Sequence, residues 1–193
     1  MTEATNPAHE TTVVLDSNAV RECLVRLARE IATDNPDMES VVLLGILSRG
    51  RPLADRLAAC IGEMTGHTPL VGSLATTLYR DDLRSGIRAN VANSVTHFEF
   101  DVDGATVVLV DDVLSTGRTV RAALDEIIDY GRPARIRLAC LVDRGLRELP
   151  IQADYLGWSL ATRRDDHVTV RLAETDGEDV VLLECAPLGE EAT

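Results

Sequence analysis

A chain of 193 residues is long enough for one α/β domain, and an apolar fraction of 45% lets it fold without disulfide or metal staples. Aromatic residues make up only 3%, so the core must be built from Val, Leu, Ile and Ala. The formal charge is −13 and all 19 basic residues are arginine, which argues against nucleic-acid binding unless those charges gather on one face.

No apolar run approaches the roughly 20 residues of a membrane span. Met1–Thr12 has neither a basic start nor an apolar stretch, so it reads as a disordered lead and not as a signal peptide. Ala186–Thr193 reads as a flexible tail, leaving 13–185 as the folded domain. Cys23, Cys60, Cys140 and Cys185 have no metal-ligand spacing and read as free thiols, which suits a reducing, cytoplasmic compartment.

Val13–Leu15 is expected to be a short strand, with Asp16 or Ser17 capping the helix that follows. In that helix Val20, Cys23, Leu24, Leu27, Ala28 and Ile31 recur at helical spacing, and Asn35-Pro36 ends it. Val41–Ile46 is a continuous apolar run, as in a strand buried on both faces. Leu47–Arg51 is a tight loop, and the next helix presents Leu53, Leu57 and Ile61 to the core. A strand lies near Leu70–Leu78. Asp81–His97 has little periodicity and reads as a long mobile lid.

Ala105–Val110 is a second fully apolar strand, followed by a loop and a helix with Val120, Ala123, Leu124, Ile127 and Ile128 inward and Gly131 at its end. Ile136–Val142 is another strand. Ala153–Tyr155, His167–Ala173 and Val180–Glu184 look like shorter ones, the last two joined by a turn at Asp176-Gly177. Alternating strands and helices followed by short strands predict an α/β fold: a parallel sheet flanked by helices, with a small appended region.

The segment Val107–Thr119 carries the chemistry. A buried strand runs into Asp111 and Asp112, and Thr116-Gly117 then opens a helix. Ligands bind in such strand-to-helix loops at the carboxyl edge of a parallel sheet. Loop amides and the helix N-terminus attract phosphate, and Ser115, Thr116 and Thr119 add hydroxyl donors. The two carboxylates suit ribose hydroxyls or a cationic anomeric carbon. Together these features point to phosphoribosyl pyrophosphate (PRPP). A Walker A loop is excluded, because GxxxxGK[ST] is missing.

Gly45–Pro52 repeats the strand–turn–helix arrangement, and Arg49 beside Gly50 offers a fork of donors to a pyrophosphate. Leu78–Leu83 gathers Tyr79, Arg80, Asp81 and Asp82 at the foot of the predicted lid, which suits closure over a charged substrate.

Four segments carry a resemblance to a known family: LGILSRGRPLADRLA, TLYRDDL, VVLVDDVLSTGRTVRAALD and GRPARIRLACLVDRGLRELPIQADYLG. From Val13 to Glu184 the chain resembles the PyrR family, bacterial pyrimidine regulators with uracil phosphoribosyltransferase activity. The third segment is similar to type I phosphoribosyltransferases at large. The resemblance implies the type I phosphoribosyltransferase fold with a small hood of strands. It implies that Ser48, Arg49 and Gly50 form the pyrophosphate turn, and that Arg80, Asp81 and Asp82 form the hinge of a catalytic loop. Asp111 and Asp112 would be ribose-binding acids. Val113 and Leu114 would lead into a 5′-phosphate loop of Ser115, Thr116, Gly117, Arg118 and Thr119. Asp143, Arg144 and Val168 would lie by the base.

The implied reaction joins uracil to PRPP, giving UMP and pyrophosphate. Mg²⁺ would be held mainly by PRPP oxygens, with no protein metal site. Arg49, Arg80, Asp111 and Asp112 are the implied catalytic residues. A homodimer or higher homo-oligomer is expected.

The chain departs from the family at several points. Ser48 stands where Thr is common, and Ser115 where many members have Tyr. Pyrimidine-operon leader RNA is the family's regulatory partner, and Arg21, Arg26, Arg29 and Arg147 are the candidate contacts. Yet Val25, Leu146, Gln152 and Trp158 replace polar or basic family residues, so leader binding is expected to be weak or absent. Salvage of a purine is the competing enzymatic reading. Ser115 argues against it, because an acid is expected there in purine enzymes.

Overall fold

The computed structural model describes residues 10–76 and 95–187. In chain order its elements are β1 (Glu10–Leu15), α1 (Ser17–Asp34), β2 (Val41–Ile46), α2 (Gly50–Thr65), β3 (Leu70–Leu74), β4 (Thr106–Leu114), α3 (Arg118–Tyr130), β5 (Arg135–Asp143), β6 (Tyr155–Ser159), β7 (His167–Arg171), α4 (Ala173–Asp176) and β8 (Val180–Cys185). A short 3₁₀ turn, Met38–Ser40, precedes β2.

Five strands form one parallel sheet in the order β3-β2-β4-β5-β6. Because the sheet is covered on both faces, its strands are apolar on both sides. Leu43, Val108, Val110, Ala139 and Leu141 pack on one face with residues of α1 and α2. Val42, Leu44, Val107, Leu109 and Cys140 pack on the other with Val120, Ala123 and Ile127 of α3. This is the layered arrangement of the type I phosphoribosyltransferase fold.

A second, antiparallel sheet has the order β1-β8-β7. Its Val168, Val170 and Val181 join the core on the α1/α2 face. The hood therefore takes its first strand from the opposite end of the chain. β1 begins at Glu10, three positions before the predicted Val13, because Glu10, Thr11 and Thr12 pair with Cys185, Glu184 and Leu183. Glu10–Thr12 are thus strand and not part of a disordered lead. β6 looked like one of the short appended strands, but it pairs with β5 and closes the parallel sheet.

Several local readings hold. All six apolar positions named in α1 are buried, and Asp16 caps the helix by accepting a hydrogen bond from the Ala19 amide at 2.9 Å. Asp16→Ala should lower the unfolding free energy by about 1 kcal/mol, measured by urea titration. A change indistinguishable from zero would mean that Ser17 takes over the cap.

Two readings fail. Ile128 is 61% exposed, because Val120, Ala123 and Ile127 already fill the inward stripe of α3 and the next residue turns away from it. β4 does not stop at the carboxylates but continues to Leu114, since Asp111, Val113 and Leu114 pair with Cys140, Val142 and Asp143 of β5.

Tyr79, Arg80, Asp81, Asp82 and most of the predicted lid lie outside the described residues. Of that segment Val95, Thr96 and His97 are described: the Thr96 hydroxyl donates to Glu126 at 2.7 Å, and His97 bridges Ser73 at the β3 edge. No helix among the described residues is long and apolar enough to cross a membrane.

Candidate active site

A cleft opens at the carboxyl ends of β2 and β4, whose following helices α2 and α3 lie on opposite faces of the sheet. It encloses about 910 Å³, and β7 forms the opposite wall. Small-ligand sites are typically about 300–1,000 Å³, so the volume suits a nucleotide-sized ligand.

Asp111 and Asp112 both line the cleft. Asp111 is buried, and one of its carboxylate oxygens accepts the Asp112 amide at 3.0 Å. Val113, Leu114, Ser115, Thr116, Gly117, Arg118 and Thr119 complete this wall. Gly117 adopts φ 90°, a left-handed conformation that favours glycine, and a Cβ there would sit 3.3 Å from Ile151. The turn delivers the chain into α3, whose N-terminal amides face the loop.

The turn predicted to take pyrophosphate is built around Gly50. A Cβ at Gly50 would meet the Val110 carbonyl at 2.4 Å, and one at Gly45 would meet the Gly50 carbonyl at 2.4 Å. These two glycines let the turn press against β4. Of the three predicted residues only Arg49 lines the cleft; Ser48 and Gly50 do not. The Leu47–Ser48 peptide bond is cis. The Arg49 guanidinium is held through Nη2 by Asp176 at 3.0 Å, while its buried Nε has no partner.

Of the residues predicted to lie by the base, Arg144 and Val168 line the cleft and Asp143 does not. The Asp143 carboxylate is consumed by the Gly145 amide at 2.8 Å and by Arg147. Arg144 donates to the Thr162 hydroxyl at 3.0 Å and to the carbonyls of Arg163 and Asp166, pinning the loop that leads into β7. Leu146, also lining the cleft, sits at φ 62°, unusual for a branched side chain. The cleft further includes Glu148, Arg164, Asp165, His167, Thr169 and Val170, none of which the sequence singled out. The alternation of β7 was the available signal for Val168 and Val170.

Arg21, Arg26 and Arg29 share a shallow depression on α1 with Glu22 and Val25. Arg147 does not join them. Its guanidinium donates to the carbonyls of Ile151 and Ser115, each at 2.7 Å, and to Asp143, so it braces the cleft wall from behind. Arg26 is also committed, to Glu30 and to the carbonyls of Leu156 and Gly157 on β6.

Burial foremost, with the carboxylates of Asp111, Asp112 and Asp143, pushes the Cys140 thiol well up. It stays protonated and is no nucleophile. Among the described residues no group of three His, Cys, Asp or Glu side chains comes together to hold a metal.

The hood is bolted to α2 by arginines. Arg56 pairs with Glu174 at 2.6 Å and Asp179 at 2.7 Å, and both carboxyls are held below their usual range by its hydrogen bonds. A depressed pKa contributes stability that is present above the ordinary carboxylate range and is lost as pH falls through the folded value. Melting temperature should therefore fall as the pH drops below about 4, and Arg56→Gln should flatten that fall. An unchanged acid limb in the variant would assign the loss to other carboxylates.

The chain matches the phosphoribosyl transferase domain family over residues 13–176. It is 54% identical over 171 residues to the bifunctional protein PyrR of Chloroflexus aurantiacus, covering 88% of this chain and 93% of that protein. It is 52% identical over 180 residues to the bifunctional protein PyrR of Pelotomaculum thermopropionicum, covering 93% and 99%. Its backbone is similar to a hypoxanthine-guanine phosphoribosyltransferase of Leishmania tarentolae solved with GMP, with a TM-score of 0.68 over 95% of this chain and all (100%) of that one. At 16% identity that likeness is one of fold alone. With the sequence match spanning hood, cleft and sheet alike, the chain belongs to the phosphoribosyltransferase domain family and, within it, to the PyrR family.

Proposed function

We propose that the chain transfers the phosphoribosyl group of PRPP to uracil, giving UMP and pyrophosphate. The observation that carries the reading is the cleft itself, which combines a carboxylate pair, an anion-binding loop at a helix N-terminus and the Arg49 turn on one sheet edge. The Ser115–Thr119 loop takes the 5′-phosphate. Asp111 and Asp112 accept hydrogen bonds from the ribose hydroxyls and stabilise positive charge as the anomeric carbon loses its leaving group. Arg49, which lines the cleft, holds the departing pyrophosphate with its guanidinium. Uracil N1 bonds to the anomeric carbon and releases its proton to water, while the bond to pyrophosphate breaks. Most of the acceleration comes from alignment of the two reactants.

Mg²⁺ fits this site as a companion of PRPP. Asp111 and Asp112 supply two carboxylates without a third ligand, suited to a hydrated ion whose inner oxygens come from substrate. When bound it neutralises charge on the leaving pyrophosphate.

The experiment is to supply PRPP and Mg²⁺ with each nucleobase in turn and follow nucleotide formation. UMP formation from uracil alone is the expected result. Turnover with hypoxanthine or guanine in preference to uracil would overturn the base assignment.

A second task, binding of pyrimidine-operon leader RNA, is what the PyrR resemblance implies. The α1 depression supports only a weak version of it. With Arg26 and Arg147 committed elsewhere, Arg21 and Arg29 are the arginines left to meet phosphates there. Leader RNA titrated with and without UMP should bind weakly, and less still as salt rises. Tight, sequence-selective and UMP-enhanced binding would overturn this reading.

A further inference from the structure

Arg49 lies in the turn between β2 and α2, and Asp176 lies in the hood, at the end of α4. The two meet at 3.0 Å with both side chains largely screened from solvent, 28% and 23% exposed. Asp176 is well prepared for this contact. Its Oδ2 accepts the Leu172 amide at 3.0 Å and the Thr175 hydroxyl at 2.7 Å, which leaves Oδ1 for Arg49. Burial pushes the Asp176 carboxyl up most strongly, but the bonds from Thr175, Leu172 and Arg49 outweigh it and leave it below its usual value. Arg49 for its part keeps a buried Nε–H without a partner, and it lines the cleft. A buried N–H of a guanidinium costs free energy until an acceptor arrives. The guanidinium is therefore held at Nη2 by Asp176, while its Nε–H is left without a partner.

We infer that Asp176 is a positioning residue for the pyrophosphate end of the cleft: it holds the Arg49 guanidinium at the cleft wall, where its remaining donors meet an anionic ligand. It acts from β7's own extension, since α4 follows directly after the strand that carries Val168 and Val170 on the cleft wall. Hood and pyrophosphate turn are thus linked by one ion pair. The inference rests on the proposed PRPP reading of the cleft.

The test is calorimetric binding of PRPP, pyrophosphate and UMP, each with Mg²⁺, to the full chain and to Asp176→Asn, Asp176→Glu and Arg56→Gln. Asp176→Asn should weaken PRPP and pyrophosphate about tenfold, since a guided charge-assisted contact is lost, and leave UMP within about twofold. Asp176→Glu should recover part of the loss. Arg56→Gln loosens the same α4 segment through Glu174 and Asp179 without touching Arg49, so it should leave pyrophosphate affinity within about twofold. Equal affinities in wild type and Asp176→Asn would overturn the inference. So would a matching loss in Arg56→Gln, which would assign the effect to general anchoring of the hood. If wild type itself bound neither PRPP nor pyrophosphate, the PRPP reading would fail, and the inference with it.

Discussion

Replacing both Asp111 and Asp112 by Asn should cut phosphoribosyl transfer by at least about a thousandfold, because two groups aimed at developing positive charge lose that charge together. The fold should persist. Asn keeps an oxygen at position 111 to accept the Asp112 amide, and the strand pairing of Asp111 with Cys140 uses only backbone. Circular dichroism and the urea midpoint should stay close to wild type while turnover disappears. The effect should lie mainly in kcat, since the carboxylates matter most where charge develops. Near-normal turnover in the double variant would mean that the ribose lies elsewhere in the cleft.

Arg147→Ala should damage stability and catalysis at once. It strands the Asp143 carboxylate and the carbonyls of Ser115 and Ile151, all of which the guanidinium now serves. The expected cost is about 2–3 kcal/mol, because a largely enclosed carboxylate loses its cation. Transferase activity should fall about a hundredfold, since the Ser115 carbonyl belongs to the cleft loop proposed to take the 5′-phosphate and small displacements there are expensive. Arg147→Lys should rescue little: one ammonium cannot reproduce a fork that spans four acceptors. If Arg147→Ala left transfer and stability intact and weakened only RNA binding, the arginine would belong to the α1 surface after all.

Some of this was open to reading along the chain, and the physical reason is locality. The six inward positions of α1, the Asp16 cap and the buried run Val41–Ile46 depend on spacing of 3.6 or on continuous burial, both of which are written in neighbouring residues. The strand-to-helix turn that lines the cleft was equally visible, because strand, carboxylates, Gly117 and helix follow one another closely along the chain.

What the residues in order could not carry was pairing across distance. β1 joins β8 from the far end of the chain, and β6 joins β5 and not the hood; both depend on which edge was free, a property of the assembled sheets. Asp143 and Arg147 looked like a base contact and an RNA contact, and only packing turned them toward each other. The Arg49–Asp176 pair spans 127 positions. Sequence alone marked Asp176 as a turn residue, since a carboxylate next to a glycine is what such turns contain. Its partner was decided when the hood closed over the start of α2. The sequence by itself determined the family, the sheet-forming runs and the strand-to-helix turn after Asp112, while tertiary structure decided which charges line the cleft and which are spent on one another.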